Sequence, residues 1–497
     1  MKDKIKKVLT TYKNLPVQMK ASLWFVLSTV LLKGISFITV PIFTRIMDTE
    51  QYGIYSVYLT WCEIFTIIGT FGFESCAYMS VLTKFKGKDK DEAEASLLEL
   101  SFVLTTILLA VFVICGEQIS QAVGLPQNIL MLMCIQIYFI PAVNFWSVKN
   151  RFQYKYKRLV FVSVSMAIVN AVLGVLFINN FFTTNQAIGR VISIVIVQAI
   201  YGIALLQMLI KGKHFRISAK YWKWALRLHL PLLPHTLSLK VLAGADKIMI
   251  NTMIGATETA LYSVSYSVAV VVNLIKTSII DAIRPWMYTC LRDNNTDNMK
   301  NVMNGLLVFV SALTLVFVAF APEVIKIVAP VSYYEAIYCM PPVMISSFFT
   351  FLYSTFSIIE MYYEETKKVM VASIAAAVLN VILNALLIPV YGYIAAAFTT
   401  LICYIFLAVF HYFMAKKVLQ QHNMTIGIFD GKMTAGISLI LLLSLVAFEY
   451  LYTKTILRYL VVVLILLFMV LKRKYFYSLL RTVQKKINVL RITNREG

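Results

Sequence analysis

The dominant pattern along the chain is an apolar run of about 20 residues, repeated between short polar connections, which is the length of a helix that crosses a bilayer. LWFVLSTVLLKGISFITVPIF, from Leu23 to Phe43, is one such run, and YLVVVLILLFMVL, from Tyr459 to Leu471, is a shorter one near the other end. Fourteen runs fall near residues 22–46, 54–81, 97–116, 127–147, 159–180, 187–210, 230–254, 259–283, 302–328, 337–360, 368–388, 392–414, 433–451 and 455–471. They predict an all-α polytopic membrane protein with about 14 transmembrane helices. The connections leave no room for a soluble domain.

Composition sharpens this. The 497 residues are 60% hydrophobic and 14% charged, against roughly half and a quarter in soluble domains. The net charge of +22 raises the question of nucleic acid or anionic lipid, and placement answers it. Of 46 Lys and Arg, 35 fall in the two tails and in alternate connections. The intervening connections GEQISQAVGLPQ, NNFFTTNQ and PVYGY hold none, and only Lys454 and Arg458 clearly break the alternation. This is the positive-inside pattern, with both termini cytoplasmic and an even number of spans. It excludes a nucleic-acid surface as the purpose of the charge.

Residues 1–20 form a basic cytoplasmic leader, followed by a first span too long for a signal-peptide core. The tail, 472–497, places Phe476, Leu479, Leu480, Val483, Ile487 and Leu490 at helical spacing between basic residues. It reads either as a helix on the anionic inner leaflet or as a solvated basic tail. The seven cysteines sit singly and read as apolar fillers.

An internal repeat organises the spans. RFQYKYKRLVFVSVSMAIVNAVLGVLFI, from Arg151, aligns without gaps on MYYEETKKVMVASIAAAVLNVILNALLI, from Met361. Lys157, Ser163, Ala167, Asn170, Leu173, Leu176 and Ile178 meet identical residues 210 positions later. IYSV at Ile54 and LYSV at Leu261 match at an offset of 207, which also carries Lys33 onto Lys240. The reading is two six-helix parallel repeats, 21–211 and 226–416, joined by a cytoplasmic linker at 212–225 and followed by two further helices at 433–471. Parallel repeats of this kind bind substrate between the halves and rock.

No phosphate-binding loop, zinc spacing or nucleophile motif is present, so no catalytic residue, metal or cofactor is assigned. Charges inside the spans are the informative residues, because each costs roughly 2.5–3.5 kcal/mol at mid-bilayer and so favours a bundle interior or an aqueous cavity. Lys33, Lys240, Arg190, Lys276 and Lys247 are the candidates for a cationic cavity that receives an anion. Asp246, beside Lys247, reads as a structural ion pair. Glu63 has no basic residue nearby in the sequence and is the first candidate for a coupling ion, followed by Asp281 and Glu74.

These residues carry a resemblance. LLKGISFITVPIFTRIMDTEQYGIYSVYLTW resembles the first two helices of the bacterial polysaccharide flippases, of the superfamily that also holds the multidrug and toxin extruders. LHLPLLPHTLSLKVLAGADKIMINTMIGATETALYSVSYSVA resembles the start of their second half. ETKKVMVASIAAAVLNVILNALLIPVYGYIAAAFTTLICY, with Asn380, Asn384 and the Ile388-Pro389 break, resembles their eleventh and twelfth helices. The family's usual Asp-Arg stands here as Asp246-Lys247, and its usual glycine before Tyr-Ser as Ala260-Leu261. The resemblance implies a cytoplasmic-membrane flippase for oligosaccharide on undecaprenyl diphosphate, serving a surface glycan, among membrane lipids and with a glycan polymerase as a partner. Coupling to protons, to sodium or to downstream consumption stays open. Two rivals are a multidrug extruder, disfavoured by Lys33 in a first span without a mid-span carboxylate, and a membrane glycosyltransferase or polymerase, disfavoured by the short external connections.

Overall fold

A computed structural model describes residues 16–211, 217–293, 297–422, 424 and 428–471. The leader as far as residue 15, part of the linker (212–216) and the amphipathic pattern in the tail (472–497) lie outside the described residues. Among the described residues the regular elements are all helical.

Among the described residues fourteen helices are long. They are α1 (Val17–Ile46), α2 (Thr49–Thr70), α3 (Gly87–Ile114), α4 (Gln127–Phe152), α5 (Tyr156–Asn180), α6 (Gln186–Ile210) and α7 (Leu233–Met253). The series continues with α8 (Ala256–Arg292), α9 (Asp297–Ala319), α10 (Met340–Tyr362), α11 (Thr366–Tyr391), α12 (Ile394–Gln421), α13 (Gly431–Leu451) and α14 (Thr455–Leu471). Each predicted run has its helix, and 11 of the helices are both long and apolar enough to cross a membrane. This is a multi-pass membrane protein. Two of the remaining three, α2 and α7, are the charge-bearing pair developed below.

Two predicted spans break where the apolar pattern alone runs on. The second, expected to reach residue 81, ends when Phe71 and Gly72 turn left-handed, at φ 52° and 67°, and a short helix resumes at Ala77–Lys84. The ninth stops at Ala319, and Ala321–Val328 forms a separate helix opened by Pro322. Proline is well accommodated in a first helical turn, where its missing N–H is not needed.

The chain divides into two compact units, 1–259 and 260–497. In the first, α4 and α5 both pack on α6, and α3 packs on α4; in the second, α10 and α11 both pack on α12, and α9 packs on α10. The register agrees with the 210-residue repeat. Ile129, Met133, Ile137, Phe145 and Asn150 are buried on α4, and so are Cys339, Val343, Ser347, Thr355 and Glu360, 210 positions on. The first unit also holds α7, because α7 packs on α2.

One glycine is needed for a close approach at the edge of the first unit. A Cβ on Gly53 would lie 1.8 Å from the carbonyl oxygen of Ala256, so only glycine lets α2 begin beside that backbone. Nearby, the N-termini of α2 and α6 cap each other. Gln186 Oε1 accepts from the Asp48 N–H at 2.6 Å, and Gln51 Oε1 accepts from the Ala187 N–H at 3.1 Å. Two of the backbone donors that every helix start leaves open are thereby satisfied.

At the other end of α2, the helix Ala219–His229 buries Tyr221, Ala225 and His229, which share one face at four-residue spacing. Lys223 and Arg227 stay exposed. His229 bridges the break in the second span: its Nε2 accepts from the Ala77 N–H at 2.9 Å, and its Nδ1 lies 3.1 Å from the Phe71 carbonyl oxygen.

Candidate functional site

The site grows from a glycine. A Cβ on Gly244 of α7 would stand 2.5 Å from Thr60 Cγ2 of α2, so glycine lets the two helices close up. The turn after Thr60 then meets the turn before Gly244. There Lys240 Nζ lies 2.7 Å from Glu63 Oε2, with the two side chains 42% and 64% exposed. Glu63 therefore does have a cation, contrary to its reading as a carboxylate without a basic neighbour. The sequence hides the pair because 177 residues separate its members.

Lys247 lies two turns beyond Lys240 on the same face of α7 and is within electrostatic reach of both Glu63 and Asp246. Asp246 is buried at 1% exposure, and Asp246 and Lys247 are both engaged in the packed unit. Lys33, midway along α1, is exposed and has no partner among the described residues. Space is open beside it, since a Cβ on Gly34 would meet nothing within 4 Å.

Arg190 is packed among the helices of the first unit. It is 6% exposed and donates through Nη1 to the carbonyl oxygen and side-chain Oδ1 of Asn170 and to Ser193 Oγ. Its guanidinium lies over Phe43 at 4.3 Å and near Tyr55 at 5.4 Å. The repeat explains the arrangement. At the matching positions of the second unit, Asn380 Nδ2 donates to Thr400 Oγ1, and Asn384 bonds Asn380 and Thr399. The first unit has Gly174 where the second has Asn384, and a Cβ there would lie 2.8 Å from Arg190 Nη1. Arg190 thus fills the space that a second asparagine fills in the other repeat.

The remaining charges divide by environment. Lys276 on α8 is buried at 5% exposure, with no hydrogen-bond or ion-pair partner among the described residues. Asp281 pairs with Arg284 at 3.6 Å, one turn away, with side chains 73% and 47% exposed. Glu74, in the break after α2, accepts from Asn144 Nδ2 at 2.9 Å, and its Oε2 is buried without a hydrogen-bond partner. Arg458, one of the two exceptions to the charge alternation, is 2% exposed and bonded to the half-buried Glu323, so its position reflects an ion pair rather than a topological signal.

Sequence reading missed two further features. Gly244 stands in plain view in AGADKIMI, but the need for a glycine there appears only once Thr60 is opposite. Glu360 and His411 form a buried pair, 2.9 Å from Oε1 to Nδ1; the repeat could have pointed to them, since it sets them against Asn150 and Tyr201.

Comparisons with known proteins agree with this architecture. The family model described as polysaccharide biosynthesis protein matches residues 19–290. Among solved structures, the chain is similar to the lipid II flippase MurJ in an inward closed conformation, with a TM-score of 0.71 and 15% identity over 91% of this chain and 99% of that one. It is also similar to an inward-facing multidrug resistance MATE family transporter of the MOP superfamily, with a TM-score of 0.55 and 13% identity over 82% of this chain and 99% of that one. A MOP superfamily transporter from Pyrococcus furiosus gives a TM-score of 0.51 and 13% identity over 82% and 97% of the two chains. At these identities the likeness is one of fold. No curated protein matches the chain.

Proposed function

From the premise that this chain belongs to the polysaccharide biosynthesis protein family, within the MOP superfamily whose fold it shares, we propose that it flips oligosaccharide linked to undecaprenyl diphosphate across the cytoplasmic membrane, with both termini in the cytoplasm. In this reading it is a transporter rather than an enzyme, and a glycan polymerase acts downstream of it.

One observation carries the reading: Lys240 and Glu63 form an ion pair in mid-helix whose side chains are 42% and 64% exposed. Charges exposed to hydrocarbon at that depth would be costly, so exposure there means water. A diphosphate and a set of hydroxyls need such a hydrated path, because an unpaired polar group entering an apolar medium costs roughly 2–7 kcal/mol. In the empty site Glu63 serves as the counter-ion of Lys240. An arriving diphosphate competes for the same ammonium, and Lys33 adds a second cation that has no carboxylate to displace. A charge-assisted hydrogen bond contributes about 1.5–3 kcal/mol, enough to make this exchange the binding step. Lys247 extends the cationic path along α7, whereas Arg190 supports the helices around it. Glu63 is thereby assigned the counter-ion role in place of the coupling role.

The test is restoration of surface glycan in a flippase-null strain, with protein abundance checked by immunoblot. The Lys33→Ala, Lys240→Ala double variant should insert normally and lose most restoration, and Lys→Arg at either position should keep much of it. Full restoration by the double alanine variant would overturn the anion site.

A further inference from the structure

The second unit contains a buried acid–base pair that the anion site does not use. Glu360, two residues from the end of α10, is 0% exposed, and His411 of α12 is 1% exposed. His411 Nδ1 lies 2.9 Å from Glu360 Oε1. The other carboxylate oxygen, Oε2, is buried with no hydrogen-bond partner. Tyr353 stacks on the imidazole at 5.7 Å and on Tyr404 at 6.1 Å.

The first repeat shows what this helix pair needs merely to pack. At the matching positions α4 has Asn150 and α6 has Tyr201, and α4 packs on α6 as α10 packs on α12. Asn150 Nδ2 donates to the Trp146 carbonyl at 2.8 Å, and the Tyr201 hydroxyl donates to Ser165 Oγ at 2.9 Å. No ionisable acid is required. Burying one costs several kcal/mol unless it is paired, and here half of the carboxylate is left unpaired. What Glu and His add over Asn and Tyr is a proton that can come and go.

With one shared proton the pair is neutral overall, whether as Glu⁻ with HisH⁺ or as GluH with His. A second proton makes it +1, and loss of the first makes it −1. Both charged outcomes are disfavoured in a dry interior. Exchange with solvent therefore needs water to reach the pair, as it would if α10 and α12 shifted during transport.

We propose that Glu360 and His411 form a proton-binding site that takes up and releases one proton in each transport cycle. This rests on the reading of the chain as a transporter. The surrounding charges leave the pair its own balance. Lys300 of α9 is engaged by Asp430 at 3.6 Å, and Lys368 of α11 by Glu365 at 2.7 Å. Lys416 and Lys417 of α12 point to the exposed side. The titratable ring stacked against the pair is Tyr353, which stacks in turn on Tyr404.

The experiment compares the full chain with the Glu360→Asn, His411→Tyr double variant, which imports the first repeat's own residues. The Glu360→Gln, His411→Gln double variant is a second one that removes both ionisable groups while keeping polar side chains, in case the first does not fold. Proton uptake between about pH 8 and pH 5 is counted in nanodiscs with a pH indicator, since a titrating pair adds one macroscopic step. The native chain should bind about one proton more than either variant. A merely structural pair holds its proton throughout, so equal uptake would overturn the proposal. In proteoliposomes, an imposed pH gradient should speed flipping of undecaprenyl-diphosphate oligosaccharide several-fold in the native chain and leave the variants unaffected. A variant that keeps the full gradient response overturns the site. If the native chain moves no lipid but shows the extra proton, the proton site stands and the substrate reading fails.

Discussion

Lys240 and Glu63 stand 177 residues apart in the chain, and their side chains meet at 2.7 Å. Each lies well inside its helix, yet the Glu63 side chain is 64% exposed. Ile107 of α3 is comparably exposed at 54%, but an apolar residue gains from facing lipid. The two environments should be separable by chemistry, because a thiol reacts through its thiolate, which needs water. In a variant lacking the seven native cysteines, Glu63→Cys should react with an impermeant thiol reagent and Ile107→Cys should not. Equal labelling of the two, or none at position 63, would remove the hydrated site.

The closeness of α2 and α7 depends on Gly244. Gly244→Ala should push α7 away from Thr60, loosen the Lys240–Glu63 pair and lower both the melting temperature and transport. Thr60→Ser on that background deletes the one methyl in the way, at 2.5 Å from the new Cβ, and should recover most of the loss. Gly34→Ala meets open space and should be neutral or stabilising by up to about 1 kcal/mol, the helix-propensity gain. Melting curves in detergent decide both. Failure of Thr60→Ser to rescue would mean that Gly244 serves something other than helix approach.

The helices themselves were legible because each hydrophobic run has to be about as long as the bilayer is thick. The repeat was legible because two units that pack alike bury alike, as Ile178 and Ile388 illustrate. What stayed hidden were relations set by tertiary contact. Nothing local to Glu63 announces Lys240, and nothing local to Arg190 says that Gly174 has cleared a place for it. The apolar run after Thr70 gives little warning that Phe71 adopts a left-handed conformation, since the residue alone does not demand it. Charge in a span told where polar chemistry sits, but not whether the side chain is exposed, as for Lys240, or packed, as for Arg190.

That last distinction is testable by exchanging the two repeats' solutions. Arg190→Thr alone leaves a void beside Gly174 and takes the donor from Asn170. Losing such a buried network typically costs a few kcal/mol. Gly174→Asn alone drives a side chain into Arg190 and Phe43, 2.8 and 2.9 Å from the new Cβ. Combined, the two substitutions restore the counterparts of Asn380, Asn384 and Thr400, with Gly189 still standing where Thr399 does, so the double variant should be more stable than either single one. The coupling should be of the 0.5–3 kcal/mol size seen between contacting residues. Glycan restoration by the double variant should stay near native, because Arg190 holds helices rather than substrate. A stable double variant with no transport would return Arg190 to the anion path.

His229 gives the fold a pH dependence with a definite sign. Its Nε2 accepts from the Ala77 N–H and its Nδ1 faces the Phe71 carbonyl, a pattern that only the neutral ring with its hydrogen on Nδ1 can satisfy. A protonated ring would set an N–H against the Ala77 N–H. Burial accordingly holds the His229 pKa below the ordinary histidine value, a fall only partly offset by the bond to Phe71. The folded form prefers the neutral ring, so this contribution to stability is complete above the unfolded pKa of about 6.5. It is lost as pH falls from there through the lower folded value. His229→Gln removes the titration while leaving one donor and one acceptor, and it should melt below the native chain at pH 7.5. As pH drops to 5.5 the gap should narrow, because only the native chain loses the contribution. A gap in melting temperature that is constant across that range would show that His229 does not bridge the break in α2 as a neutral ring.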